Sequence, residues 1–591
     1  MTLGRNPVQI VEIDLPQCTR TYASAPCTAV LGTTGIRKCY NTIKTCQDSA
    51  NFASADLTLR FGKNQSGLPK GQNIYPALTS VSTRAGRVNL SGIDPKRSPL
   101  GQRARITVTL QDFTDNEAYI DPYQSQRISG AAQDDAIGYT PRDRGTFFAK
   151  IKARWPYYLG RSLRVLEGYE GDALSAMRTR SYVITEWDGP NAAGVVTIAA
   201  KDVLDLADDN KAQAPQASRG KLSAGLSASA TSFTIVPAGT GSEYAAGGYV
   251  AIGREVMSFT RSGDTFTVVR ARFGTTAATA SENDLVQQCL VYTKQAADVI
   301  IEDLLTTYAG VSAAYIDTTA WDAEAERWLG GTKFSAIITK PEGVATLIGE
   351  LCQHGIMVWW DEVAQEIRLK MNRPLDLDET VVSISDGHHI IEGTAEISDA
   401  VDERASQVHF WHGMIDPTGS ATDGANYKKL VIGAALDLEA DNFYGESRIK
   451  EIFSRWFGTS GDDANASVIV DRLIARYKYT PVTFSAELDV KDLDDIDLTT
   501  LVDVSTRLMT DETGATEVRR MQVLHREELR PGSRFRIEAQ TFPQAARFGF
   551  IMEDSAPDYD SATDAEKARG CYIVDDSTLV FPDGTGPYVI F

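Results

Sequence analysis

The stretch CTRTYASAPCTAVLGTTGIRKCYNTIKTC, Cys18 to Cys46, holds four of the seven cysteines of this 591-residue chain: Cys18, Cys27, Cys39 and Cys46. Cys289, Cys352 and Cys571 stand alone elsewhere. Four sulfurs so close in sequence can meet around one centre at small loop-closure cost, because that cost grows only slowly with loop length. They suffice for a complete ligand set or for two disulfides. The spacing C-x8-C-x11-C-x6-C lacks the tight C-x2-4-C knuckles of structural zinc sites. Iron-sulfur clusters accept thiolates from wider, less regular loops. Arg20, Arg37, Lys38 and Lys44 lie inside the span with no Asp or Glu, in a chain of formal net charge -20. These cations are candidates to offset the net anion that four thiolates around a cluster leave. A disulfide staple is the plain alternative, and it needs an oxidising compartment. The opening MTLGRNPV has no apolar signal-peptide core, so the expected place of folding is a reducing cytosol.

Working outward, the length calls for several domains. With 42% hydrophobic and 23% charged residues the composition is that of a globular protein. No apolar run approaches the roughly 20 residues that span a bilayer, so no integral membrane segment is expected. The excess of 79 acidic over 59 basic residues argues against a dedicated nucleic-acid binder. An acidic surface suits instead a wall past which DNA slides without sticking.

The fold class read from the pattern is α+β, mainly β. Asp56–Phe61, Arg105–Leu110 and Ser181–Trp187 alternate apolar and polar residues and predict half-buried strands. Short strands at Ser232–Val236, Tyr249–Gly253, Glu255–Thr260 and Thr265–Arg270 predict a small barrel of OB type, with Phe233, Phe259 and Phe266 filling its interior. Ala297, Ile300, Ile301, Leu304, Leu305 and Tyr308 share one helical face, and a second helix is expected to begin at Pro341 and end at Gly355, with Cys352 packed in the core. Met357–Trp360 and Ile367–Met371 predict a hairpin. Ile449, Ile452, Phe453 and Trp456, then Val468, Ile469, Leu473 and Ile474, read as a further helical stretch, followed by strands near Thr483–Leu488, Arg519–Val523 and Phe535–Ala539. The resulting division is a cysteine-rich segment over 1–55 within a first β domain that continues over 56–215, a small barrel over 219–290, an α+β module over 291–375, a second β domain with a helical segment over 376–545, and an extension over 546–591.

Signs of catalysis are few. The adjacent His388 and His389 follow a turn signal, and His409 and His412 belong to no H-E-x-x-H or H-x-H grouping. The acidic run Asp489–Asp497 fails the EF-hand pattern, because Asp497 and Asp503 stand where a Gly and a Glu are required. Gly239-Thr240-Gly241-Ser242 is followed by Glu243 rather than Lys and reads as a turn. Walker and G-x-S-x-G motifs are missing.

Cys18 with Tyr22, Pro26-Cys27, Lys38-Cys39-Tyr40-Asn41-Thr42 and Thr45-Cys46-Gln47-Asp48 together resemble the cysteine segment of baseplate hub proteins in the tail tips of long-tailed siphophages and gene transfer agents. The Trp359-Trp360-Asp361-Glu362 hairpin is similar to the middle domain of those proteins, and the barrel with Ile252-Gly253 and Arg270-Ala271-Arg272-Phe273-Gly274-Thr275-Thr276 is similar to an insertion in them. What the resemblance implies is a structural, non-enzymatic hub in which two tube-type β-barrel domains per subunit close into a homotrimeric ring that continues the tail channel. The distal tail protein would lie on one side and the tip or fibre-bearing protein on the other, with genomic DNA passing through without specific binding. The hub would reside in the virion after assembly in the host cytoplasm. It also implies a 4Fe-4S cluster on Cys18, Cys27, Cys39 and Cys46. An iron-sulfur redox enzyme and a zinc-stapled scaffold are the alternatives.

Overall fold

The computed structural model describes residues 6–542, apart from 134–138, 209, 330, 376–378, 459–462, 491–492, 494–495 and 531–532, together with short pieces beyond 542. Most of the extension over 546–591, and Asp492, Asp494 and Asp495 of the acidic run, lie outside the described residues. Within the extension, Tyr588–Val589 pairs in parallel with Arg547–Phe548.

The first strand, Pro7–Cys18, runs straight into the cysteine segment. Successive side chains on a strand point to opposite faces. Val11, Ile13 and Leu15 therefore enter a core while Glu12 and Asp14 face the other way. There Arg60 Nε donates to Glu12 at 2.7 Å, and Arg164 Nε donates to the same carboxylate at 2.9 Å and pairs with Asp14. The strand belongs to an eight-stranded sheet ordered Ile74–Tyr75, Ser54–Gly62, Pro7–Cys18, Ser162–Tyr169, Arg178–Asp188, Val195–Lys201, Arg105–Gln111, Leu78–Arg84. The two outermost strands are separated in sequence only by Pro76 and Ala77, so the sheet curls until its edges approach. Helix Phe147–Arg154 plugs it, with Phe147 and Phe148 packed against Phe61 and Trp187.

Lys221–Leu222, Ser232–Val236, Thr265–Val269, Glu255–Ser262, Gly247–Ile252 and Gln287–Gln288 form the second sheet, in that order. The Lys221–Leu285 bridge closes it into a ring. This ring has six strands where an OB barrel has five. Phe233, Phe259 and Phe266 do fill the interior, Phe233 stacking on Phe266 at 5.2 Å.

In the middle module the helix Ala297–Asp303 continues as a wider turn through Tyr308. The second helix begins at Val344 rather than Pro341, because Glu342–Gly343 pairs with Gln213–Ala214 as a short strand. Cys352 is core, 1% exposed. The Trp359-Trp360 hairpin docks on the first sheet: Trp360 Nε1 donates to the Ser181 carbonyl at 3.0 Å, and Tyr182 donates to Glu362 at 2.7 Å. Ile449–Ser454 is a strand pairing in parallel with Gln407–Met414, not a helix. Its few apolar residues satisfy either period, and the open edge of Gln407–Met414 decides. The helix that follows, Asp463–Tyr477, packs on that three-stranded sheet. A six-stranded sheet over 382–541 completes the body around Phe484, Phe535 and Ile537. It meets the first sheet where Val88 N–H donates to the Leu524 carbonyl at 3.0 Å and Arg87 pairs with Glu538.

Candidate functional site

Ser54 pairs with Cys18, so the cysteine segment is one long excursion between two neighbouring strands of the first sheet. Its ends are joined by Thr19 N–H, which donates to the Ala53 carbonyl at 2.8 Å, and its middle is fastened to its start: Cys18 N–H donates to the Asn41 carbonyl at 2.7 Å, and Asn41 Nδ2 returns to the Cys18 carbonyl at 2.9 Å and the Arg20 carbonyl at 3.2 Å. Asn41 does this at φ 54, a left-handed conformation that Asn tolerates better than most residues. Tyr22 donates to Gln47 at 2.9 Å, and Gln47 donates to the Arg37 carbonyl at 2.6 Å. Asp48 accepts from Thr28 N–H at 2.7 Å, which holds its carboxyl below the usual range.

These contacts bring all four predicted cysteines to the wall of one small pocket, shared with Arg20 and Tyr22. All four are free, half-buried thiols. Burial raises the Cys39 thiol above its ordinary value, and the neighbouring thiols add to that rise; Cys46 behaves likewise, opposed by the Asp48 N–H that donates to its sulfur at 3.4 Å. Thiolates gathered this way repel one another, and a positive metal centre reverses the sign of that interaction. The donor set therefore fits a thiolate-bound metal group. Among the described residues no three Cys, His, Asp or Glu side chains are grouped as for a single metal ion.

The four cations separate. Arg20 lines the cavity. Lys38 instead donates to Gln126 at 2.7 Å and lies over the Tyr22 and Tyr123 rings at 5.5 and 5.4 Å. Arg37 and Lys44 are exposed. Sequence reasoning missed Arg127, which carries the segment from below, and Tyr123, whose hydroxyl accepts from Tyr22 N–H at 2.7 Å. Neither stands near the cysteines in sequence, and no spacing rule reaches them.

The remaining candidates dissolve into structure. Asp264, from the hairpin turn before Thr265–Val269, accepts from the N–H groups of Gly239 and Gly241, both at 2.7 Å, so this glycine turn is capped from within the small barrel. His388 and His389 sit on a turn with ring centroids 4.3 Å apart, where strand geometry would have parted them. His409 and His412 occupy opposite faces of their strand; His409 Nε2 lies 3.2 Å from Gln407 and His412 Nδ1 lies 2.8 Å from the Gly458 carbonyl.

No protein-family model and no curated protein matches the chain. Its fold is similar to solved phage tail proteins. A tail protein from Neisseria meningitidis MC58 aligns over 79% of this chain and 98% of its own, with TM-score 0.37 and 10% identity. The 43 kDa tail protein of prophage MuSo2 from Shewanella oneidensis aligns over 78% and 97%, with TM-score 0.34 and 11% identity. The E. coli c3393 protein, a type VI secretion system component described as similar to T4 tail proteins, aligns over 82% and 85%, with TM-score 0.30 and 8% identity. Among the described residues no helix is long and apolar enough to cross a membrane.

Proposed function

We propose that this chain is the structural, non-enzymatic hub of a siphophage tail tip, in which Cys18, Cys27, Cys39 and Cys46 hold a 4Fe-4S cluster. The observation that carries the reading is the convergence of four unpaired thiols on one cavity at the end of a strand of the curled first sheet. The spacing C-x8-C-x11-C-x6-C lacks the tight knuckles of structural zinc sites, whereas a cluster takes thiolates from wider loops. When bound, the cluster would supply a covalent staple for the excursion and no turnover. Arg20 would offset its charge from the cavity wall.

Three copies would close the two large sheets of each chain into a ring, burying edges that otherwise invite aggregation. The ring would continue the tail tube from the distal tail protein to the tip or fibre-bearing protein. The net charge of -20 per chain, placed partly along the lumen, would let DNA pass unheld. Anaerobic purification with visible absorption, metal and acid-labile sulfide analysis tests the centre. A brown, iron- and sulfide-containing protein is expected; a colourless zinc protein would make the chain a zinc-stapled scaffold. A map of the intact particle tests the hub, which should appear as a threefold ring at the tube end.

A further inference from the structure

Tyr40, next to the third cysteine, lies between two guanidinium groups, Arg127 at 3.6 Å and Arg154 at 4.0 Å from its ring. Arg127 is 2% exposed. Its Nε donates to Asp121 at 2.6 Å, its Nη1 to the Lys38 carbonyl at 3.1 Å and its Nη2 to the Cys39 carbonyl at 2.7 Å. Arg154 pairs with Glu117, a fully buried carboxylate that also takes Lys150 and the Tyr139 hydroxyl. Arg127 has Asp121 to itself, whereas Arg154 shares Glu117 with Lys150. Arg127 therefore acts on the site through shape and hydrogen bonds.

Arg154 and Lys150 belong to the helix whose Phe147 and Phe148 plug the first sheet. An unbroken line of contact therefore runs from the Cys39 backbone through Arg127, Tyr40 and Arg154 to the core of that sheet. We infer that Arg127 is the positioning residue for Cys39, and that the Arg127–Tyr40–Arg154 sandwich couples occupancy of the four-thiol centre to the order of helix Phe147–Arg154. This rests on the metal-centre reading above. Only a planar fork reaches one carboxylate and two successive carbonyls while stacking on a ring; a lysine ammonium is a point donor and cannot.

The test compares iron per chain, visible spectrum and hydrogen exchange in the full-length wild type, Arg127→Lys, Tyr40→Phe and Tyr40→Leu, each before and after iron removal by chelation. Exchange in the first-sheet strands Ser162–Tyr169 and Val195–Lys201 reports whether a variant is folded. Arg127→Lys is expected to hold iron about 10-fold more weakly, the lower end of what outer-shell partners contribute to metal affinity. Tyr40→Phe should match wild type. In wild type, iron removal should speed exchange in 147–154; in Tyr40→Leu it should not. Iron bound equally by wild type and Arg127→Lys, or helix exchange unmoved by chelation in wild type, would overturn the inference alone. A wild-type protein without iron would overturn the metal centre first and this coupling with it.

Discussion

The cysteine excursion over 19–53 and the small barrel over 219–290 are both inserted between other elements, yet they are held by different means. The barrel owns a core in which Leu222, Ile235, Val250, Phe266 and Val286 are fully or nearly fully buried. The excursion has almost none: Tyr22 and Ala29 are its buried apolar residues, and they need Tyr123 and Ala132 from outside to make a cluster. Val30, Ile36 and Ile43 of the excursion are exposed. A segment without an apolar core must be fastened by point contacts or by a bound group, because backbone ordering costs about 1–2 kcal/mol per residue whether or not side chains are buried.

The comparison breaks most sharply at Cys39. On the cluster reading proposed above, Cys39→Ser is expected to lose the metal group, and with it the order of the excursion, raising protease cleavage within 19–53 on the order of 100-fold. Limited proteolysis read by mass spectrometry should show the barrel unchanged; equal loss in both regions would erase the contrast drawn here. The reverse experiment is Phe266→Ala. This fully buried ring packs against Phe233, Tyr244 and Phe259, and its removal should cost about 3–5 kcal/mol. Denaturation followed by hydrogen exchange should show the loss confined to the barrel, with iron content untouched.

A third test lies in the body that carries both regions and shows how a buried charge fares without an added group. Burial raises the Asp202 carboxyl to about 6 from an ordinary 3.8, with Arg103 and the Ala104 N–H opposing. The folded state binds this proton more tightly than the unfolded one. Its contribution is therefore fully present below pH 4 and lost as pH rises through 6. Asp202→Asn should gain on wild type by about 2–3 kcal/mol between pH 4 and pH 7.5, measured as the difference between their unfolding free energies; a pH-independent difference would contradict the assignment. The smallest expected effect sharpens where the barrel meets the body. Gly274 has φ 81, and a Cβ there would stand 2.9 Å from the Ile415 carbonyl. Gly274→Ala should cost about 1 kcal/mol or more, with changed exchange at 413–415 rather than inside the barrel.

Much of the strand content was legible because half-buried strands alternate. Arg105–Leu110 and Ser232–Val236 read correctly from that pattern alone. Where few apolar residues fit two periods, as at Ile449–Ser454, the pairing partner decided the outcome and the sequence gives no access to it. Helix Thr318–Leu329 buries only Trp321, Ala325 and Trp328, too few to mark a helical period in the sequence. At the site, cysteine crowding announced which thiols meet but not the residues that cradle them. Arg127, Glu117 and Arg154 lie some 70 or more residues downstream of Cys46, where only folding brings them beneath the excursion.

The amino-acid order by itself singled out four thiols in one short stretch of an acidic, strand-rich chain without a catalytic motif. Tertiary structure decided what those thiols face, which cations reach them and which are spent on tyrosine rings, and how the excursion is tied to the plugged sheet. The physical reason is range. Composition and periodicity act over a turn or a strand, whereas the guanidinium, carboxylate and aromatic contacts that orient a ligand act over a few ångströms between residues far apart in the chain.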